Sequence, residues 1–271
     1  MSRTQISGLG KVSRERLSKI LRESTGVITP VVVSKILNIS SNRASMLLAR
    51  WLQNGWVTRI KRGAYISVPL EASTNEVPIE DPWIVASQIF APCYIGGWSA
   101  AEYWDFTEQI YNSISVMTTK QPRKKEQTFK DIRFVLRTIT KDRFFGTQNV
   151  WRGNVKVSVS DPTKTIVDML DDPTIGGGIR PVTDMLYAYF KSEYADDKKL
   201  LGHSVQMKNG AIFKRLGFIL EKKFSEKTDL IDACKVNLSA GNAKIDPNLS
   251  CVRLITRWRL WVPEGFELDG K

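Results

Sequence analysis

Between residues 29 and 68 the apolar residues change from helical to strand spacing, and every step is punctuated. Thr29-Pro30 has the form of a helix start: the threonine caps, and a proline at the first helical position gives up an amide that has no partner there. Val32, Val33, Ile36 and Leu37 follow as one apolar face. Asn38-Ile39-Ser40 is a turn, and Ser40 caps a further helix reaching about Asn54, with Ala44, Leu47, Leu48, Trp51 and Leu52 inward at spacings of three and four. Gly55 stops it. Residues 56–60 read as a strand, Lys61-Arg62-Gly63 as a turn and residues 64–68 as the returning strand. An earlier helix, residues 14–23 capped by Ser13, carries Leu17, Ile20 and Leu21 inward and ends at Gly26. Two short helices joined by a tight turn and followed by a β-hairpin make the pattern of a winged helix-turn-helix.

Charge falls on the same segment. The first 70 residues hold four Lys and eight Arg against two Glu, which is +10 of the chain's net +12. A compact basic module on a nearly neutral body is the electrostatic footprint of a nucleic-acid reader. The outer face of the third helix offers Ser41, Asn42, Arg43, Ser45, Met46, Arg50 and Gln53. Asn42 and Arg43, in its first turn, have the donor and acceptor geometry to read base edges in a major groove, with Ser41 and Ser45 beside them. Arg50 and the hairpin cations Arg59, Lys61 and Arg62 suit phosphates or a minor groove, fixing affinity and register more than sequence.

Composition bounds the rest. The chain has 271 residues, 42% hydrophobic and 25% charged, which suits an ordinary globular protein of two domains or one large one. Cys93, Cys234 and Cys251 are odd in number and far apart, and His203 is the sole histidine. Neither a disulfide framework nor a structural zinc site is expected, and no metal or cofactor is assigned. No apolar stretch is long enough to span a bilayer, and residues 1–10 lack an apolar signal region. The expectation is a cytoplasmic protein with reduced cysteines and no membrane partner.

Residues 71–81, polar and acidic with a proline, read as a linker between a module of residues 1–70 and a mixed α/β domain of residues 82–271. The fold class expected is therefore α+β. In the larger part, Asp81-Pro82 starts a helix. Gly96-Gly97 precedes a helix taken to be capped by Ser99, and Phe106-Thr107-Glu108-Gln109 leads to a strand at residues 113–119. A second strand, residues 155–160, runs into Asp161-Pro162-Thr163-Lys164-Thr165, another helix start. The winged-helix pattern together with these motifs, over about residues 13–220, resembles the AbiEi family, antitoxins of the type IV toxin–antitoxin class that also repress transcription. The resemblance implies binding to inverted repeats upstream of the chain's own operon. It also implies a functional partner that resembles nucleotidyltransferases, countered without a stable complex. Residues 221–271 lie outside it.

Several other features have plainer readings. Lys120-Gln121-Pro122-Arg123-Lys124-Lys125 is a second basic run; the resemblance favours Arg123, Lys124 and Lys125 as further DNA-backbone contacts over a merely solvated loop. Lys214, Arg215, Lys222 and Lys223 form a third candidate patch. Asp168, Asp171 and Asp172 suggest an acid cluster, but Asp171 and Asp172 stand where exposure is usual, and Asp168 has no evident base or metal partner. Gly176-Gly177-Gly178 reads as a flexible connection and residues 181–194 as a helix with Val182, Met185, Leu186, Tyr189 and Phe190 in the core. Residues 251–261 read as a strand whose Arg253, Arg257 and Arg259 either stack on nucleic acid or lie along a sheet surface. No ordered catalytic constellation is visible, so a non-enzymatic DNA-binding repressor is expected. Its rivals are a ligand-sensing regulator and a DNA-targeted phosphotransfer or nuclease enzyme.

Overall fold

A computed structural model describes residues 10–24, 26–69 and 78–268 of this protein. Residues 1–9, most of the expected linker (71–77) and residues 269–271 lie outside the described residues. The chain is a mixed α+β protein. It begins with α1 (Lys11–Glu23), α2 (Pro30–Leu37) and α3 (Ser41–Gln53), followed by the antiparallel pair β1 (Val57–Lys61) and β2 (Ala64–Ser67). Local chemistry sets these limits. The Thr29 hydroxyl accepts from the Val32 amide at 3.3 Å, and that of Ser40 from the Arg43 amide at 3.3 Å. Gly63, at φ +78°, supplies the left-handed position of the hairpin turn.

Leu17, Ile20, Ile28, Val33, Ala44, Leu48, Trp51, Trp56, Val57 and Tyr65 close around one another as the core of this unit. A bridge between Ile28 and Tyr65 ties the segment before α2 to the returning strand. Two expectations for α1 fail. The helix starts ahead of Ser13, with Gly10 at its cap position, and Leu21 is exposed because only Leu17 and Ile20 face the core.

After α4 (Pro82–Ile89) the chain builds a six-stranded mixed sheet. Its strands are β3 (Cys93–Ile95), β4 (Ser113–Thr118), β5 (Glu126–Phe129), β6 (Ile132–Thr138), β7 (Thr147–Arg152) and β8 (Val155–Ser160), with α5 (Gly97–Tyr103) between β3 and β4. The spatial order is β5-β6-β4-β3-β8-β7, parallel at β6–β4 and β3–β8 and antiparallel elsewhere. On one face Ile95, Val116, Phe134, Val157 and Val159 pack with Trp83, Val85 and Phe90 of the α4 segment. On the other, Tyr94 and Met117 meet the helical layer: α6 (Pro162–Asp171), α7 (Ile179–Lys191), α8 (Asp197–Gln206), α9 (Gly210–Lys223) and α10 (Thr228–Val236).

The C-terminal segment belongs to this layer. Strands β9 (Ala243–Lys244), β10 (Arg253–Ile255) and β11 (Leu260–Val262) form a small sheet, and Ile245, Trp258, Leu260 and Val262 are buried in the main core. The strand expected over residues 251–261 is broken by a 3₁₀ turn at Thr256–Trp258, which turns Trp258 inward. Gly217 of α9 makes room for it: a Cβ there would stand 2.1 Å from Trp258 Cζ3. Arg257 instead pairs with Glu221 at 2.6 Å.

The N-terminal unit does not hang free of the body. Val27, Ile60 and Ala64 belong to the same apolar cluster as Trp83, Phe90 and the sheet, and the Val27 amide donates to Gln88 Oε1 at 3.0 Å. The described end of the expected linker is also packed. Ile79 is buried, and Asp81 caps α4 while pairing with Arg152 at 3.0 Å.

Inside the body, motifs that suggested turns prove to be packing devices. A Cβ on Gly97 (φ +55°) would stand 2.4 Å from the Ile175 carbonyl oxygen, so the Gly-Gly pair allows close approach. Ser99 lies within α5 and does not cap it; its hydroxyl accepts the Ser115 amide at 2.9 Å, fastening the helix to β4. Residues 176–178 are not a loose loop. They close a 3₁₀ turn in which Ile175 and Gly176 are buried.

Candidate nucleic-acid interface

Helix α3 divides cleanly. Ala44, Leu48 and Trp51 are buried, which leaves Ser41, Asn42, Arg43, Ser45 and Arg50 together on its exposed face. The Ser45 hydroxyl donates back to the Ser41 carbonyl at 2.9 Å, so it serves the helix before any ligand. From Ser24 to Pro69 the sequence contains no carboxylate side chain, so nothing on α2, α3 or the hairpin offsets these cations.

On the hairpin, Arg59 and Arg62 are exposed, and the Arg59 guanidinium lies 5.6 Å from the ring centroid of Tyr65 across the strand pair. Lys61 is different. It is the last residue of β1, and its Nζ lies over the rings of Phe90 and Phe129, at 5.7 and 5.9 Å. Burial, and then the nearby Lys120, lower the pKa of its ammonium. Lys61 therefore seats the hairpin on the body as well as adding charge, a role that its place beside Arg62 and Gly63 did not suggest.

The same geometry joins the two basic segments. Lys120 opens the loop between β4 and β5, in which Arg123, Lys124 and Lys125 are all exposed. The Lys125 carbonyl accepts the Leu136 amide at 2.7 Å, which anchors the loop to β6. Lys120, the first residue of the second basic run, lies close enough to Lys61 to lower its pKa, a proximity that their places in the sequence do not show.

The third basic patch is surface in only one half, where Lys222 is exposed and Lys223 half-buried. Lys214 and Arg215 are buried. Lys214 donates to Ser239 Oγ at 2.8 Å and to the Gly241 carbonyl, while Arg215 donates to the carbonyls of Leu170, Asp171, Lys244 and Ile245. Both tie the C-terminal segment to α9. The acidic residues of α6 are likewise paired. Asp171 meets Arg143 at 3.2 Å and Asp172 meets Arg137 at 3.0 Å, against the exposure expected of them.

Asp168 is fully enclosed with Lys164 and Tyr94. The Tyr94 hydroxyl donates to Asp168 Oδ2 at 2.8 Å, Lys164 Nζ donates to Asp168 Oδ1, and Lys164 Nζ also lies 3.1 Å from the Tyr94 hydroxyl. Burial pushes the Asp168 carboxyl up, and the lysine and the two hydrogen bonds pull it back only in part. Lys164 has no exposed surface, so this cluster pins α6 to β3 and is closed to solvent. His203 packs edge-on against Phe145 and approaches Asp161 Oδ2 at 3.4 Å. Among the described residues no group of three or more His, Cys, Asp or Glu is placed to hold a metal ion, and no helix is long and apolar enough to cross a membrane.

No protein-family model matches the chain, and no curated protein matches it. Among solved structures it is similar in fold to the RV2827C protein of Mycobacterium tuberculosis. The TM-score is 0.60 and the identity 13%, over 95% of this chain and 94% of that one. At that identity the likeness is one of fold alone. It is too extensive to leave out either the N-terminal unit or the sheet-centred body.

Proposed function

We propose that the N-terminal unit is a winged helix-turn-helix and that the protein is a sequence-specific DNA-binding repressor. In this reading α3 enters the major groove, where Asn42 and Arg43 contact base edges and Arg50 a phosphate. Arg59 and Arg62 on the hairpin, and Arg123, Lys124 and Lys125 beyond it, hold the backbone. The observation that carries the reading is a stretch, residues 24–69, that has no carboxylate side chain and presents Arg43 and Arg50 on an exposed helix face and Arg59 and Arg62 on an exposed hairpin.

The motif resemblance extends the proposal. The protein acts as an autoregulating antitoxin of the AbiEi kind, binding inverted repeats ahead of its own operon. It counters a nucleotidyltransferase-like toxin without forming a stable complex with it. A reporter fused to the chain's own upstream DNA tests this: the wild-type protein lowers expression, and Arg43→Ala with Arg50→Ala restores it. Continued repression by that variant would remove α3 as the reading element. Point variants serve better here than deletion of residues 1–70, because deletion would uncover the apolar surface that Val27, Ile60 and Ala64 bury.

A further inference from the structure

Trp151 is 62% exposed on β7, an edge strand of the large sheet. An indole there presents a large, flat apolar face to solvent on a strand otherwise rich in polar residues. It borders a groove between the end of α4 and the β7–β8 hairpin, whose lining includes Gln88, Pro92, Phe144, Asn149, Asn154 and Lys156. Lys156, directly opposite Trp151 in the strand pair, places Nζ 4.8 Å from the indole centroid. None of the groove's lining residues is acidic. Cys93, on its wall, has its thiol pushed up to about 12 by burial, so it contributes an uncharged surface.

We propose that this groove binds an unpaired nucleotide of a single-stranded nucleic acid, with the base stacked on Trp151 and the backbone phosphate against Lys156. An exposed aromatic face beside a cation is what stacking on single strands requires, and every base offers a π-face to it. The carboxamides of Asn149 and Asn154 have both donors and acceptors for base edges. Charge argues for a polyanion over an acidic or neutral peptide as occupant. Lys120 lies within electrostatic reach of Cys93 on the groove wall and adds positive charge near it. The site is nonetheless separate from α3 and does not depend on the repressor reading.

The test is the anisotropy of a short fluorescein-labelled oligothymidylate titrated with the full-length protein. Trp151→Ala should weaken binding about tenfold, in line with the loss of one stacked base. Trp151→Phe should keep most of it, and Lys156→Gln should lower the salt dependence by about 0.7 in slope. Arg43→Ala with Arg50→Ala should leave this binding unchanged while weakening specific duplex binding at least about tenfold, so either idea can fail without the other. The proposal is overturned if Trp151→Ala binds the oligothymidylate like wild type, or if Trp151→Phe is as weak as Trp151→Ala. It is equally overturned if the oligothymidylate does not bind while an extended peptide does so through Trp151.

Discussion

A lysine with no exposed surface is stable only if its charge is matched, and Lys164 is matched by Asp168 and the Tyr94 hydroxyl. Lys164→Met should leave a carboxylate buried without its cation and cost about 3–5 kcal/mol in denaturant unfolding. Replacing both partners, Lys164→Met with Asp168→Leu, should cost much less, because no charge is then stranded. Equal losses in the two variants would mean that the pair contributes shape and not charge. Asp161 shows the opposite balance. Burial alone would raise its pKa, but hydrogen bonds from His203, the Lys164 amide and Lys199 outweigh burial and hold the carboxyl below the ordinary range. A depressed pKa stabilises the fold above the unfolded value, about 4, and that contribution is lost as pH falls through the folded value. Asp161→Asn should therefore unfold with a flatter acid limb than wild type; an identical limb would show that Asp161 is not among the groups that set it.

At the scale of elements, the hairpin separates charge that reaches solvent from charge that seats the strand pair. Arg62→Ala should lower the salt dependence of duplex binding by about one in slope and leave thermal stability unchanged. Lys61→Ala should instead lower stability, since its stem and ammonium cover Phe90 and Phe129. A Lys61 variant that alters only the slope would contradict the seating role. These N-terminal elements were legible in the sequence because their limits are local: Thr29-Pro30, Ser40, Gly55 and Gly63 each act within a turn of where they stand. Helix α9 was not. Its residues from Ile212 to Leu220 are buried on all sides, so Lys214 and Arg215 look like surface charge until the carbonyls that receive them arrive from distant segments. Trp151 was missed for a related reason. An apolar residue on a strand normally marks the inward face, and only the register shows that it faces out.

For the molecule as a whole, the two parts that charge distinguishes are joined by apolar packing. Val27, Ile60 and Ala64 enter the cluster beneath the sheet, so the angle of α3 and the hairpin relative to the basic β4–β5 loop is set by core contacts. In the proposed complex that angle decides which cations reach one duplex together. Part of the +10 of the first 70 residues thus acquires a geometry, with Arg43 and Arg50 on α3 and Arg59 and Arg62 on the hairpin, and Arg123, Lys124 and Lys125 on the β4–β5 loop add to it from outside that segment. The most direct test is the affinity of the full-length protein for duplex DNA from its own upstream region, across a salt series, for wild type and for Arg43→Ala with Arg50→Ala. The account predicts a loss of at least about tenfold in specific affinity, since a base contact such as that of Arg43 is worth about 1–3 kcal/mol, together with a salt slope lower by about one for the phosphate contact of Arg50, with the fold intact. Unchanged affinity and an unchanged salt slope in a folded variant would contradict it.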